Sequence, residues 1–255
     1  MPNVHDSTRD HTTVPMIVQI EDLVQDVPGW TPIDELYTLY TIASVTDNLA
    51  GDIVEVGSWC GRSAVVLGLA ARNGSSSKVH CVDLFPEKND WRQNPDGSYS
   101  FELIIDGKRH GGYQVQTVWK DAFESQTGKI YERYNGVLDC FTETVVGRGM
   151  QDVIIAHRGD LESFLTAVGP YFRCRLAFLD GDHGYDAVCN DIRLIDQHLV
   201  PGGWLCFDDA FTSYEGVNHA LRELILRNPG YEFCQQMTRK LFVARKKAAA
   251  RGEKS

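Results

Sequence analysis

The chain has 255 residues, of which 43% are hydrophobic, so it can form one large domain or two small ones around a substantial core. Its formal net charge of −10 argues against a broad nucleic-acid surface, which needs a basic patch. No signal peptide is visible near the N-terminus, and no apolar run approaches the ~20 residues that span a bilayer. These features predict a cytoplasmic protein that binds neither nucleic acid nor membrane.

The seven cysteines are scattered along the chain and form no C-x-x-C pair. Several of them lie within apolar runs. An odd, scattered set is typical of reduced, buried thiols and not of a disulfide framework or a zinc site. We therefore expect free thiols.

The first 50 residues predict an N-terminal arm and a helix. Residues 1–15 are polar and are expected to form a loose arm. Apolar residues then recur at helical spacing over 32–49, where Pro32 suits the first turn of an amphipathic helix. This helix is expected to pack against the main sheet.

A βαβ unit follows. The β-branched run at 52–57 predicts a buried strand, and 57–72 predicts a glycine-bounded turn that leads into a helix. A second strand over 78–83 ends in Asp83. Strand, glycine turn, helix and strand together form one such unit.

The segment 86–134 interrupts this alternation. A segment this long between two strands is either an active-site lid or a flexible insertion, and its many aromatic residues favour a lid. Its aromatic side chains either line an acceptor pocket or pack within the lid. The candidates for the pocket are Trp91, Tyr99 and Tyr113, together with Tyr214 from a later part of the chain.

Alternation of strands and helices resumes after the insertion. The predicted strands are 153–157, 175–179 and 204–207, the predicted helices are 136–146, 161–168, 185–198 and 217–227, and two last strands at 231–236 and 240–244 form an antiparallel hairpin. This order predicts an α/β fold with a doubly wound, mostly parallel sheet and helices on both faces. The domain is expected to span 51–245, followed by a disordered tail over 246–255.

Acidic residues follow two strands of the predicted sheet at the point where each strand ends. Asp180, Asp182 and His183 come after one strand, and Asp208 and Asp209 come after the next. In neighbouring parallel strands these groups emerge at the same carboxyl edge, where open α/β sheets bind ligands. Carboxylates held together repel one another unless a cation, protons or hydrogen bonds offset their charge. The pattern indicates a hard metal ion, and the alternative is that these acids cap the following helices.

The glycine turn narrows the choice of cofactor. The dinucleotide fingerprint requires glycine where this chain has Trp59, and no Gly-Lys-Ser/Thr is present, so NAD, FAD and P-loop nucleotides are disfavoured. Glu55 precedes the turn and Asp83 ends the next strand. Two carboxylates beside a glycine turn suit a ligand with ribose hydroxyls and a positive charge, such as S-adenosylmethionine. The alternative is that Glu55 is a buried acid paired with Arg62.

With these motifs the chain resembles the class I S-adenosylmethionine-dependent methyltransferases, in particular the sugar and antibiotic O-methyltransferases of natural-product pathways. The matching stretches, in the order of that family, are VEVGSWCGRS (54–63), VD (82–83), GD (159–160), FLDGDHGY (178–185), LVPGG (199–203) and FDD (207–209). The resemblance implies a seven-stranded Rossmann-like sheet with an antiparallel terminal hairpin. The segment 86–134 matches nothing in that family and leaves the acceptor undetermined.

The resemblance also assigns the cofactor site. The implied residues are Glu55, Gly57, Ser58 and Gly61 at the methionine part, Asp83 at the ribose hydroxyls, and Gly159, Asp160 and Leu161 at the adenine.

In metal-dependent relatives, one acid that ends the fourth strand and an adjacent pair that ends the fifth hold the ion. The resemblance therefore makes Asp180, Asp208 and Asp209 the expected Mg²⁺ ligands. His183 occupies the place of the catalytic base, and histidine is the side chain whose unperturbed pKa, about 6.5, suits proton transfer near neutral pH. Asp180 would take part in catalysis as a ligand, and Asp182 has no assigned role.

The sequence thus predicts Mg²⁺-dependent O-methylation of a hydroxylated small molecule, such as a natural-product sugar, with His183 as general base. Two alternatives stay open: a metal-independent small-molecule N-methyltransferase and a non-catalytic protein that binds the cofactor. Related enzymes often form homo-oligomers, but no stretch of this chain specifies a symmetry.

Overall fold

The computed structural model describes residues 14–75, 77–111 and 117–248. The chain begins with two helices, α1 (Met16–Val24) and α2 (Ile33–Val45). The predicted helix over 32–49 is confirmed as α2, but it ends earlier, at Val45. The hydroxyl of the next residue, Thr46, donates to the carbonyl of Ile42 at 2.9 Å. Helix α1 was not predicted, and most of the expected loose arm lies outside the described residues.

The predicted βαβ unit is present. It consists of β1 (Asp52–Val56), α3 (Arg62–Asn73) and β2 (Val79–Asp83). The two strands pair in parallel, with Val56 opposite Val82 at the carboxyl end. This register brings the glycine turn and Asp83 to the same edge.

The insertion is a folded unit. Its elements are β3 (Trp91–Gln93), β4 (Tyr99–Ile105), β5 (Lys108–Gly111), β6 (Thr117–Val118), α4 (Lys120–Ala122), a π-helical turn (Phe123–Thr127) and α5 (Gly128–Arg133). The strands form a small antiparallel sheet around β4. Trp91 packs against Phe101, and the Tyr99 ring stacks on Phe123 with 3.9 Å between centroids. Tyr99 therefore packs within the insertion, whereas Trp91 packs both there and against Trp59 of the glycine turn, with 6.4 Å between ring centroids.

The rest of the chain returns to alternating helices and strands. Its elements are α6 (Val137–Gly147), β7 (Ile154–Arg158), α7 (Leu161–Val168), β8 (Cys174–Leu179), α8 (Tyr185–Asp196), β9 (Leu199–Phe207), α9 (Glu215–Ala220) with a π-helical continuation (Leu221–Leu226), β10 (Tyr231–Gln236) and β11 (Phe242–Lys246). Most boundaries lie within two residues of those predicted, and the start of β9 differs by more. Strand β9 begins at Leu199, which pairs with Cys174, so it starts five residues before the predicted strand 204–207. Strand β11 reaches Lys246, where the tail was expected to begin.

The main sheet has seven strands in the order β10-β11-β9-β8-β1-β2-β7. Strands β9, β8, β1, β2 and β7 run parallel, and β11 is antiparallel to both of its neighbours. The predicted doubly wound sheet with an antiparallel terminal hairpin is confirmed.

Both faces of the sheet are covered by helices. Alternate residues of β1 point to opposite layers: Ile53 packs with residues of α2, α3 and α6, whereas Val54 packs with residues of α7, α8 and α9. When helices cover both faces of a parallel sheet, ligands bind at the edge formed by the carboxyl ends of its strands. Six of the seven cysteines are buried thiols and Cys234 is partly exposed. Within the described ranges, no helix has the length and hydropathy needed to cross a bilayer.

Candidate functional site

Asp83 is fixed at the carboxyl end of β2 by two backbone amides. The N–H of Trp59 donates to Oδ2 at 2.8 Å, and the N–H of Phe85 donates to Oδ1 at 2.6 Å. Burial raises the pKa of Asp83, and these two hydrogen bonds oppose that rise. Each carboxylate oxygen keeps a second lone pair. Asp83 can therefore accept hydrogen bonds from a ligand such as a ribose.

Gly57 follows β1 in a conformation that requires glycine. Its φ is +88°, and a Cβ on it would stand 2.0 Å from the carbonyl oxygen of Asp180. The backbone of the turn therefore touches the backbone of Asp180, the residue that follows β8. Gly61 also has a positive φ of +90°, with Phe141 as its nearest neighbour.

Glu55 lies beneath the glycine turn and is wholly buried. Burial raises its pKa, an effect that the nearby Ser58 and Ser63 oppose, but neither carboxyl oxygen has a partner with good hydrogen-bond geometry among the described residues. The alternative of a pair with Arg62 is wrong, because that guanidinium donates to backbone carbonyls, including Val24 at 2.6 Å. A contact between Glu55 or Ser58 and the methionine part of a cofactor stays a prediction.

The stretch after β7 forms the start of α7, where the adenine was predicted to bind. Gly159 has a φ of +149°, and Oδ1 of Asp160 caps the helix by accepting the N–H of Ser163 at 2.9 Å. Leu161 is buried. Lys108, from β5 of the insertion, places Nζ 2.5 Å from Oδ2 of Asp160. The insertion therefore contacts this edge directly, as a lid would.

The acids predicted at the ends of β8 and β9 meet in space. The potential ligand atoms of Asp180, His183 and Asp209 all lie within 4.8 Å of one another. Nε2 of His183 is 2.9 Å from Oδ2 of Asp209, at an angle outside hydrogen-bond geometry. Burial raises the pKa of Asp180, and the negative charge of Asp208 adds to this effect.

Two residues that the sequence did not single out also enter this cluster. Lys240, just before β11, places Nζ 2.6 Å from Oδ2 of Asp208 and 3.5 Å from Oδ1 of Asp209. Glu35 of α2 is wholly buried, and its Oε2 lies 3.9 Å from the same nitrogen. Burial, reinforced by Asp208, raises the pKa of Glu35 to about 8. Local patterns gave no signal for either residue, because Glu35 is an ordinary first-turn acid and Lys240 lies in a hairpin loop.

The donor set suits a hard cation. Oδ1 of Asp208 is buried and has no hydrogen-bond partner among the described residues, whereas its Oδ2 is bound to Lys240. A buried oxygen without a partner needs an explanation such as an ion. Carboxylate oxygens are what Mg²⁺ prefers, so the chemistry of Asp180, Asp208 and Asp209 suits such an ion. Among the described residues, the side chains whose ligand atoms converge are, however, Asp180, His183 and Asp209, and Asp208 is not among them.

Two neighbouring residues have defined local contacts. Oδ1 of Asp182 accepts the N–H of Gly184 at 2.6 Å and so stabilises the turn before α8, which gives this residue a structural role. The ring of Tyr214 stacks on His183, with 4.1 Å between centroids. Tyr214 therefore lies at the acid cluster, and it holds the imidazole in place.

A cavity of about 690 Å³ lies beside the glycine turn. Three aromatic residues line it, Trp30, Trp59 and Tyr134, and the rings of Trp30 and Trp59 are 5.5 Å apart. Trp91, Tyr99 and Tyr214 do not line this cavity. Tyr113, the remaining aromatic residue predicted for an acceptor pocket, lies outside the described residues.

A family model described as "Methyltransferase domain" matches residues 54–210, more than half of the chain. The chain belongs to this methyltransferase family. The match runs from the strand before the glycine turn to the residue after Asp209, so it includes the predicted cofactor residues and the acids that end β8 and β9. The class I S-adenosylmethionine-dependent methyltransferase predicted from the motifs is confirmed, and the non-catalytic alternative is set aside.

The fold of the methyltransferase is similar to those of solved O-methyltransferases. The O-methyltransferase from Bacillus cereus, solved with SAH, matches with a TM-score of 0.56 at 12% identity, over 92% of this chain and 93% of that one. NovP matches with a TM-score of 0.58 at 14% identity, over 85% and 81%. The calicheamicin methyltransferase CalS11 matches with a TM-score of 0.53 at 16% identity, over 95% and 94%. At these identities the likeness establishes the fold.

Proposed function

We propose that this methyltransferase transfers the methyl group of S-adenosylmethionine to a hydroxyl oxygen of a small molecule, with Mg²⁺ at the acid cluster. The observation that carries the proposal is the convergence of the donor atoms of Asp180, His183 and Asp209 within 4.8 Å. Gly57, in the glycine turn, touches Asp180, so the predicted cofactor site and the cluster are adjacent. The solved structures with this fold support the choice of oxygen, because their names describe O-methyltransferases.

The transfer is an in-line displacement at the methyl carbon. The acceptor oxygen forms a bond to this carbon while the carbon–sulfur bond breaks and its electron pair stays on sulfur. The products are S-adenosylhomocysteine and the methyl ether. Holding the two reactants in line can contribute on the order of 7–11 kcal/mol. The glycine turn and Asp83 would provide this alignment on the cofactor side.

The imidazole of His183 accepts the proton of the acceptor hydroxyl. The imidazole is held by the stacked ring of Tyr214 and by its 2.9 Å contact with Asp209. Asp180, Oδ1 of Asp208 and Asp209 would hold the ion. A bound Mg²⁺ supplies Lewis-acid stabilisation of the negative charge that develops on the acceptor oxygen.

The cavity beside Trp59 has a volume within the range of about 300–1,000 Å³ that is typical of ligand pockets, but Asp180, His183 and the other acids of the cluster do not line it. We propose that it binds the part of the acceptor that is remote from the reacting hydroxyl. The paired rings of Trp30 and Trp59 would cover one face of that part. A sugar as the acceptor agrees with CalS11, a protein of similar fold whose name describes a TDP-rhamnose 3'-O-methyltransferase.

The test is a transfer assay with labelled S-adenosylmethionine and a panel of sugars, phenols and amines, each with Mg²⁺ or with excess EDTA. We expect label on hydroxylated acceptors, its loss in EDTA and its recovery when Mg²⁺ is added back. Full activity in excess EDTA would remove the metal from the proposal. Label on amines alone would instead favour the N-methyltransferase alternative.

A further inference from the structure

A lysine from outside the region matched by the family model reaches into the acid cluster. The match ends at residue 210, whereas Lys240 lies in the loop between β10 and β11. Its ammonium group is 2.6 Å from Asp208 and 3.5 Å from Asp209, and 17% of its side chain is exposed. The same nitrogen is 3.9 Å from Oε2 of Glu35. Glu35 also lies outside the matched region, on its N-terminal side.

The loop that carries Lys240 is anchored on both sides of the cluster. The N–H of Ala210, the residue after Asp209, donates to the carbonyl of Lys240 at 2.8 Å. The hydroxyl of Thr238 donates to Glu35 at 3.0 Å and accepts the N–H of Leu241 at 3.0 Å. These hydrogen bonds do not involve the lysine side chain. Hydrogen bonds of the loop backbone and of Thr238 therefore fix the position from which Lys240 reaches the aspartates.

The ammonium group and a metal ion would use the same two carboxylates from different sides. Lys240 contacts Oδ2 of Asp208 and Oδ1 of Asp209. Oδ1 of Asp208 has no partner among the described residues, and Oδ2 of Asp209 is the atom that approaches His183. The atoms of the two carboxylates that Lys240 contacts are therefore not the atoms that remain for an ion. A divalent cation bound at the remaining oxygens would be repelled by the positive charge of Lys240 on the other side of the same carboxylates.

We propose that Lys240 is a built-in counter-ion of the acid cluster, which neutralises Asp208 and Asp209 in the metal-free protein and weakens the binding of the divalent cation. The inference rests on the metal role given to these aspartates under the proposed function. Its consequence is an enzyme that stays folded without metal and takes up the ion reversibly.

Replacement of Lys240 could also weaken metal binding, if the lysine side chain orients the metal ligands. Residues that orient metal ligands usually strengthen metal binding, and their loss typically costs 10- to 100-fold in affinity. In this protein the backbone holds the ligands without the lysine side chain, because the N–H of Asp208 donates to Leu179 at 3.1 Å and that of Ala210 to Lys240 at 2.8 Å. The loss of repulsion is therefore expected to dominate when the side chain is replaced.

The experiment measures the Kd for Mn²⁺ by electron paramagnetic resonance of free Mn²⁺, with wild-type protein and with Lys240→Met. We expect Lys240→Met to bind Mn²⁺ about tenfold more tightly, as removal of a nearby like charge predicts. The control is Lys246→Met on β11, whose lysine pairs with Asp196 at 3.1 Å and not with the cluster. This control is expected to bind Mn²⁺ as the wild type does.

Thermal unfolding in EDTA gives a second readout that does not depend on catalysis. The Tm of Lys240→Met is expected to fall in EDTA and to recover with Mn²⁺, whereas the wild-type Tm changes little. Lys240→Arg, which keeps the charge, should behave as the wild type in both measurements. If Lys240→Met does not fold without metal, Lys240→Gln purified in Mn²⁺ and then dialysed against EDTA serves for the same comparison.

An unchanged or weaker Mn²⁺ affinity in Lys240→Met, with clear binding by the wild type, would overturn the role of Lys240 alone. Absence of Mn²⁺ binding by both proteins would overturn it together with the metal role of the aspartates. Methyl transfer to hydroxyl acceptors in EDTA would then separate these failures from a failure of O-methylation itself.

Discussion

The backbone of Gly57 lies against the carbonyl oxygen of Asp180, so closely that a Cβ on the glycine would be 2.0 Å from that oxygen. This contact joins the turn predicted to hold the cofactor to the first of the predicted metal ligands. The distance between the predicted cofactor turn and the acid cluster is therefore set by backbone packing of β1 against β8.

Gly57→Ala is expected to lower the free energy of unfolding by more than about 2 kcal/mol, because it combines a backbone clash with a positive φ that costs ~1–2 kcal/mol for other residues. Binding of S-adenosylhomocysteine should be lost with it. Urea denaturation and calorimetric titration measure the two effects. Gly147→Ala, in α6 with nothing within 4 Å of its Cβ, is the control and should be neutral or slightly stabilising. Equal stability of the two variants would contradict the role of the contact.

Asp83→Asn tests the cofactor side of the site. An amide cannot accept both N–H groups of Trp59 and Phe85, which now bind the two carboxylate oxygens. Because hydrogen bonds to charged groups contribute ~1.5–3 kcal/mol, we expect affinity for S-adenosylhomocysteine to fall by about 10- to 100-fold. Calorimetric titration provides the measurement, with the exposed Asp121→Asn as control. Unchanged affinity would remove Asp83 from the cofactor site.

His183→Ala separates a proton acceptor from a metal ligand. If the imidazole is the general base, kcat should fall by about 10²- to 10⁴-fold while the Kd values for S-adenosylhomocysteine and Mn²⁺ stay unchanged. His219→Ala is the matched control, because this exposed histidine packs on Tyr185 and not on the acids. Loss of Mn²⁺ binding in His183→Ala would show that the imidazole is a ligand, as its distances to Asp180 and Asp209 also allow.

Trp30→Ala tests the cavity beside the glycine turn as the acceptor site. With the acceptor found in the transfer assay, its KM should rise several-fold, since loss of a stacking ring removes about 0.5–1.5 kcal/mol. The KM for S-adenosylmethionine should not change. Trp119→Ala, on the exposed surface of the insertion, is the control. If the KM values for the acceptor and for S-adenosylmethionine both rise, Trp30 stabilises the fold and does not bind the acceptor specifically.

The protein is expected to lose free energy of unfolding at acid pH because of His157. Burial, with the neighbouring His80, lowers the pKa of His157 to about 4. Nε2 of His157 lies 3.0 Å from Nδ1 of His80, whose other nitrogen is 3.1 Å from Asp52. The unfolded chain, with a histidine pKa of about 6.5, binds more protons than the folded chain between pH 6.5 and 4, so stability decreases as pH falls through this window.

The expected loss between pH 7.5 and pH 5 is about 1–2 kcal/mol from this group. Urea denaturation at the two pH values measures it, and His157→Asn should show a smaller difference whatever its absolute stability. The exposed His219→Asn should keep the wild-type pH dependence. Equal pH dependence in His157→Asn and the wild type would contradict the depressed pKa.

Local sequence patterns were sufficient to predict the sheet and the position of the acids. Short apolar runs that end in glycine or aspartate predict buried parallel strands, and the carboxyl ends of such strands share one edge. For this reason Asp180 and Asp209 could be placed together before the structure was known. The motif between Glu55 and Gly61 likewise predicted the cofactor class that the family match confirms.

The tertiary structure alone decided which distant residues complete the cluster. Glu35 and Lys240 are brought to Asp208 by the packing of α2 and by the insertion of β11 between β9 and β10. It also decided that Arg62 binds backbone carbonyls and not Glu55. The physical reason is that periodicity and turn chemistry report only the environment within a few residues, whereas the charge balance of a buried site depends on side chains that strand order and helix packing bring in from both ends of the chain.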